Sequence, residues 1–173
     1  GFYRPIRIHT PIGTVVNAAH PAAVGARNLT SGRVYDAMCG ALSQVVPDRV
    51  YAAGDGGPSS MIISGWDDER RPIIYFDSIT GAWGGRPTKD GVDAITSPRG
   101  NLSNLPVEMV ESRQPIQVEH YGFVPDTGGA GKYRGGLSLS RSWRFLGKEA
   151  KLMVQGERAK IPPWGLYDGK PGA

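Results

Sequence analysis

LSLSRSWRFLGKEAKLMV, residues 137–154, is the stretch on which the fold turns. Leu137, Leu139, Arg141, Trp143 and Phe145 fall on one side of an extended chain, and Ser138, Ser140, Ser142 and Arg144 fall on the other, because successive strand side chains point to opposite faces. Gly147 and Lys148 interrupt the alternation, and Ala150, Leu152 and Val154 resume it. Two alternating runs across a short glycine turn predict a β-hairpin that turns at Gly147-Lys148.

Working outward, the period changes from two to three and a half. Residues 31–46 carry Val34, Met38, Ala41 and Val45 at helical spacing, with Ala37 and Leu42 beside them. This predicts the main helix, with Ser31 placed to cap its start and Pro47 to end it. Short strands are expected at 50–53 and 60–65 and a longer one at 71–79, with the polar turn Asp67-Asp68-Glu69-Arg70 closing a hairpin between the last two. Ile6 and Ile8 alternate against Arg7 and His9 as in a strand, and 116–124 reads the same way. Pro106 opens a short second helix, in which Val107 and Val110 face inward and Glu108 and Glu111, three apart, share another face. The class is α+β: mainly antiparallel hairpins, glycine-rich loops and one main helix.

PDTGGAGKYRGG, residues 125–136, invites a phosphate-binding reading. A mononucleotide loop needs Ser or Thr after its Gly-Lys, so that a hydroxyl can hold magnesium. Tyr133 follows Gly131-Lys132, and Asp126 stands where the first glycine belongs. The dinucleotide pattern fails at Arg134. A structural turn is the better expectation, since glycine reaches positive φ without steric cost.

The 173 residues suit one domain, a single segment 1–173. The charge of +4 comes from 20 basic and 16 acidic residues spread along the chain. No basic stripe marks a nucleic-acid partner. A single cysteine, Cys39, precludes an internal disulfide framework and fits a reducing compartment, the cytoplasm, with a packing role for the thiol. No apolar run is long enough for a membrane span and no signal-peptide order is present, so no membrane partner is expected. The triplets Asn28-Leu29-Thr30 and Asn101-Leu102-Ser103 match the glycosylation pattern but carry no weight without secretion. His9, His20 and His120 are far apart and lack metal-ligand spacing, so no metal ligand is assigned. Ser59-Ser60 sits in a turn with no base to activate it.

Three stretches, NLPVEMVE (104–111), VEHYGFVPDTGGAGKYRGGLSLSR (118–141) and ERAKIPPWGLYDGKPG (157–172), resemble the hydantoinase B/oxoprolinase family. Asn104, Pro106, Glu108 and Glu111 match its N-x-P-x-E-x-x-E element. Asp126, Thr127, Gly128, Gly129, Ala130, Gly131, Arg134, Gly135 and Gly136 match its D-[ST]-G-G-A-G-x-x-R-G-G element. The alanine-rich segment with Arg27 and Asp36, and the loop from Phe76 through Asp93, resemble earlier family elements.

The resemblance implies a portion of a B-type subunit of an ATP-dependent cyclic amide hydrolase, with an acetone carboxylase-like α subunit or a non-catalytic docking module as alternatives. It implies a divalent metal held by an upstream part of the subunit and none in this portion. ATP would be used by an A-type partner in a hetero-oligomer, and the substrate would be a small cyclic amide or ketone. The missing start methionine agrees with an internal or C-terminal portion, which should be inactive alone. Glu108, Glu111 and Arg134 are the expected catalytic residues, and Asn104, Asp126, Gly128 and Gly129 the expected substrate- or partner-binding ones. Structural alternatives stand beside these roles: Asn104 as a helix cap, the glutamates as a solvated face, and Arg134 paired with Asp126.

Overall fold

The computed structural model describes residues 3–173. Its elements in chain order are α1 (Arg27–Leu42), β1 (Ser59–Trp66), β2 (Pro72–Ile79), α2 (Val107–Arg113), β3 (Ile116–Phe123), β4 (Leu139–Phe145) and β5 (Ala150–Gln155). Among the described residues the strands form two antiparallel sheets, β2-β1-β5 and β3-β4. The fold is α+β, as expected.

The hairpin at residues 67–70 forms as read. Trp66 opposes Pro72, Arg70 takes the left-handed conformation at φ 61°, and the Asp67 carboxylate accepts the Arg71 amide at 2.7 Å. The hairpin expected at Gly147-Lys148 does not form. Both of its strands exist, but β4 pairs with β3 and β5 crosses to the free edge of β1. Leu146 continues the β3-β4 sheet by donating to the Pro115 carbonyl at 2.8 Å. β5 sets Leu152 opposite Ile63 and Val154 opposite Met61. The turn therefore carries the chain from one sheet to the other: alternation fixes which segments are extended, while core contacts choose their partners.

Met61, Ile63 and Tyr75 of the larger sheet meet Val110 of α2 and Ile116 of β3, with Trp143 and Phe145 packed against them. One polar device enters this core. Arg141 and Asp77, with side chains 1% and 6% exposed, form an ion pair at 2.6 Å between the sheets. The Tyr75 hydroxyl donates to the same Asp77 oxygen at 2.6 Å, and the Ser78 amide donates to the other at 2.8 Å.

Helix α1 starts four residues before the expected position, from Ala26 at φ 54°. Ser31 is inside it, donating to the Asn28 carbonyl at 3.2 Å rather than capping. The helix buries Gly32, Asp36 and Cys39, while Val34, Met38, Leu42 and Val45 are exposed. The inward face is selected by close approach and ion pairing: Gly32 lies against the Gly56 carbonyl, where a Cβ would collide, and Asp36 meets Arg33 and Arg158. Residues 6–10 and 50–53 are not strands. In the second segment Ala52 donates to Gly85 and Ala53 to Trp164, each at 3.0 Å, so its backbone bonds are divided between two loops.

Candidate active-site cleft

Three loop segments, 79–92, 127–136 and 163–173, are laid against one another by backbone hydrogen bonds. Trp83 donates to Val92 at 3.0 Å, Gly136 to Trp83 at 2.9 Å, Gly91 to Arg134 at 2.7 Å and Lys170 to Ala130 at 2.7 Å. They enclose a cavity of about 880 Å³ whose walls include Asp55, Trp83, Tyr133, Arg158 and Trp164. That volume is of the size that takes a small ligand. Trp83 is fixed in it, stacked on Tyr51 with ring centroids 5.9 Å apart and donating its indole N–H to the Thr96 carbonyl at 2.5 Å.

The glycines of residues 128–136 are there for contact rather than turn conformation. None of them lies at positive φ, whereas Asp126 does, at 60°. A Cβ on Gly128 would strike the Gly135 carbonyl, one on Gly129 the Lys170 carbonyl, and one on Gly136 the Val92 carbonyl. The Gly136 amide and the Ala130 and Arg134 carbonyls are bonded to neighbouring loops.

The residues expected at the site separate into two groups. Arg134 lies in the loop stack and fills its guanidinium fork with Asp93, at 2.9 and 3.1 Å, while its amide donates to Asp90 at 2.9 Å. It does not pair with Asp126, which is exposed. Arg134 holds the Asp93 carboxyl below the usual range, helped by the Leu137 amide. Gly128 and Gly129 lie in the same stack.

Asn104, before α2, and Glu111, on α2, instead bond residues of β3. Asn104 caps nothing, since α2 begins after Pro106; its amide donates to the Tyr121 hydroxyl. The Tyr121 ring in turn covers the Arg141 guanidinium at 4.7 Å. Glu111 accepts the Val118 amide at 2.8 Å, and Glu108 is exposed on α2. No hydrogen bond or ion pair given by the structure joins these two groups. Among the described residues no three His, Cys, Asp or Glu side chains gather as a metal site would require.

Sequence reasoning missed a third cluster, at the inner end of the cleft. Asp55, in the turn Gly54-Asp55-Gly56-Gly57, accepts the Gly57 amide at 3.3 Å and the Gly81 amide at 3.1 Å. Arg33 of α1 donates to the Asp55 backbone carbonyl at 2.5 Å and reaches Asp36 at 3.5 Å. Arg158 completes the cluster on Asp36. Burial pushes the Asp55 carboxyl up to about 6 against the opposing pull of the two amides. Burial also raises Asp36 despite its arginines, and it lowers Arg33 together with the like charge of Arg158. The signal available beforehand was an aspartate flanked by glycines on both sides.

This chain is similar to known proteins along its whole length. It is 37% identical over 172 residues to a Pseudomonas sp. (strain NS671) protein provisionally named as the B-type subunit of a D-/L-hydantoinase, covering 99% of this chain and 28% of that one. It is 31% identical over 180 residues to the beta subunit of the caprolactamase of Pseudomonas jessenii, covering 98% and 30%. The chain thus spans less than a third of the length of these relatives. Its fold is similar to part of the nucleotide-free structure of acetone carboxylase, with a TM-score of 0.61, 20% identity, and coverage of 76% of this chain and 18% of that one. The family model for hydantoinase B/oxoprolinase matches residues 1–173, and the chain belongs to that family.

Proposed function

We propose that this chain is a portion of the B-type subunit of an ATP-dependent enzyme that hydrolyses the C–N bond of cyclic amides. The observation that carries the reading is the family match over all 173 residues, with relatives named for a hydantoinase and a caprolactamase. Both names refer to small rings containing an amide. An amide carbonyl resists water because its nitrogen shares electron density with it, and phosphorylating the oxygen on an A-type partner removes that protection. The B-type subunit then receives the activated ring.

The cleft suits such a guest. Its aromatic walls, Trp83, Tyr133 and Trp164, match the faces of a flat ring, and its glycine loops present backbone polar groups to an amide edge. No helix among the described residues is long and apolar enough to cross a membrane, and dependence on ATP fits a reaction in the cytoplasm.

The test combines the full-length subunit with its A-type partner and supplies hydantoin, 5-oxoproline or caprolactam, with and without ATP. Ring-opened product and released phosphate are measured together. Ring opening that needs ATP and both subunits is the expected result. No opening of any cyclic amide would refute the proposal, and bicarbonate-dependent carboxylation of acetone would move the protein to the carboxylase branch.

A further inference from the structure

The geometry points to Asp55 as the proton-handling carboxylate of the cleft, facing the ring nitrogen of the activated cyclic amide and passing protons between water and that nitrogen. This rests on the function proposed above. Asp55 lines the 880 Å³ cavity and a much smaller one behind it, on the side of Asp36 and Ser97. Its carboxylate is held in place by two backbone amides, Gly57 and Gly81, so it is oriented without being committed to a cation. The nearest arginine, Arg33, spends one nitrogen on the Asp55 backbone carbonyl and another on Asp36.

The backbone around Asp55 is shaped to this placement. A Cβ on Gly81 would collide with the Asp55 side chain at its Cβ and Oδ2, and Gly56 and Gly57 adopt φ 79° and 155° to close the turn. Each ionised oxygen accepts more than one hydrogen bond, so lone pairs remain beyond those used by the amides. The charged groups around it are Arg33 and Asp36 from α1 and, on the cleft wall after β5, Glu157 and Arg158. Burial, joined by the like charge of Asp36, outweighs the Gly57 and Gly81 amides and Arg33 and sets the carboxyl to about 6. A group that titrates near neutrality in a cleft is suited to accept a proton and return it.

In the step assigned to it, water adds to the ring carbon that bears the phosphorylated oxygen: a C–O bond forms, the C=N electron pair moves to nitrogen, and one water proton passes through Asp55 to that nitrogen. The C–N bond then breaks with its electron pair remaining on nitrogen, which takes the proton of the new hydroxyl through Asp55, and the acyl phosphate left behind is hydrolysed by a second water, releasing phosphate. Asp55 ends as it began.

The experiment uses the full subunit with its ATP-using partner. Wild type and Asp55→Asn are compared for kcat and kcat/KM on the cyclic amide that wild type opens, across pH 5 to 9, with thermal melts alongside. For wild type, kcat/KM should rise with pH through about 6 and then level. Asp55→Asn should lose kcat by about a hundredfold or more, and the limb near 6 should vanish. Because the asparagine NH2 must face one of the two amide donors, the variant can unfold. Wild type therefore also receives carbodiimide labelling at Asp55, read by mass spectrometry with and without the same amide. Labelling should fall when the amide is bound. An active wild type whose Asp55→Asn variant keeps its rate and limb, or whose Asp55 labels equally with amide bound, overturns the inference alone. A wild type that opens no ring amide overturns the functional reading and this step with it.

Discussion

Replacing Arg141 by Met should loosen the two sheets by a predictable amount. The Arg141 side chain is 1% exposed and Asp77 6%, so the substitution leaves a carboxylate in the core with only the Tyr75 hydroxyl and Ser78 amide as partners. Breaking a buried pair from one side costs about 3–5 kcal/mol, because the remaining charge is uncompensated. Each 1.4 kcal/mol is about tenfold in an equilibrium constant, so amides of β2 and β4 that exchange through opening of this core should speed up by roughly a hundredfold to a few thousandfold. Hydrogen exchange by mass spectrometry on the intact subunit measures this locally, without requiring the whole molecule to unfold. The triple variant Arg141→Met, Asp77→Leu, Tyr75→Phe removes every polar member of the network except a backbone amide and should recover most of the loss. Less than about a fivefold change in Arg141→Met, or a triple variant as loose as the single one, would refute the reasoning.

Gly136→Ala should destabilise the cleft by about 1–3 kcal/mol, since its Cβ would run into the Val92 carbonyl and the Ala82 side chain. Gly131→Ala should be neutral within about 0.5 kcal/mol, because its nearest neighbour would be 3.4 Å away; thermal melts of the two variants decide. Arg134→Lys should cost less than about 1 kcal/mol, as the arginine is 42% exposed. The Asp93 carboxyl is depressed in the fold, so its contribution is present above 3.8 and is lost as pH falls below that; the difference between wild type and Arg134→Lys should shrink in acid melts. The 173-residue chain alone should open no hydantoin or oxoproline with or without ATP, and turnover by the purified chain would contradict this.

The sequence shows extended segments and helices more clearly than it shows their partners. Alternation at 137–145 and 150–154 locates β4 and β5, but nothing local says that Leu152 will face Ile63 rather than its own neighbour across the turn. The stripe Val34, Met38, Ala41 and Val45 predicts a helix, but α1 ends at Leu42, before Val45 and Pro47, and the buried side is predicted wrongly. The helix is oriented by Gly32 against Gly56 and by Asp36 between two arginines, one of them more than a hundred residues away. The site suffers from the same limit. Arg134 is visible inside a family element, yet its partner, Asp93, is 41 residues away, and Asp55 belongs to no motif that its neighbours announce.

These observations divide the labour between signature and chemistry. Residues 128–136 match the family element closely, and the structure accounts for the match by contact: loops with several carbonyls in close approach admit glycine at Gly128, Gly129 and Gly136. Arg134 and Asp93 tie the same stack from its side. Such residues build the walls of a cleft from segments that make few ladder hydrogen bonds of their own, which is costly in backbone entropy and is offset by bonds between loops. The charged groups at the inner end of the cleft come from elsewhere: Asp55 from a turn before β1 and Arg158 from the segment after β5. Arg33 and Asp36 then fasten that inner end to α1, at its buried face. A substitution at Gly128, Gly129 or Gly136 should therefore lower stability and rate together, whereas one at Asp55 should change the pH dependence of the rate with the stack intact.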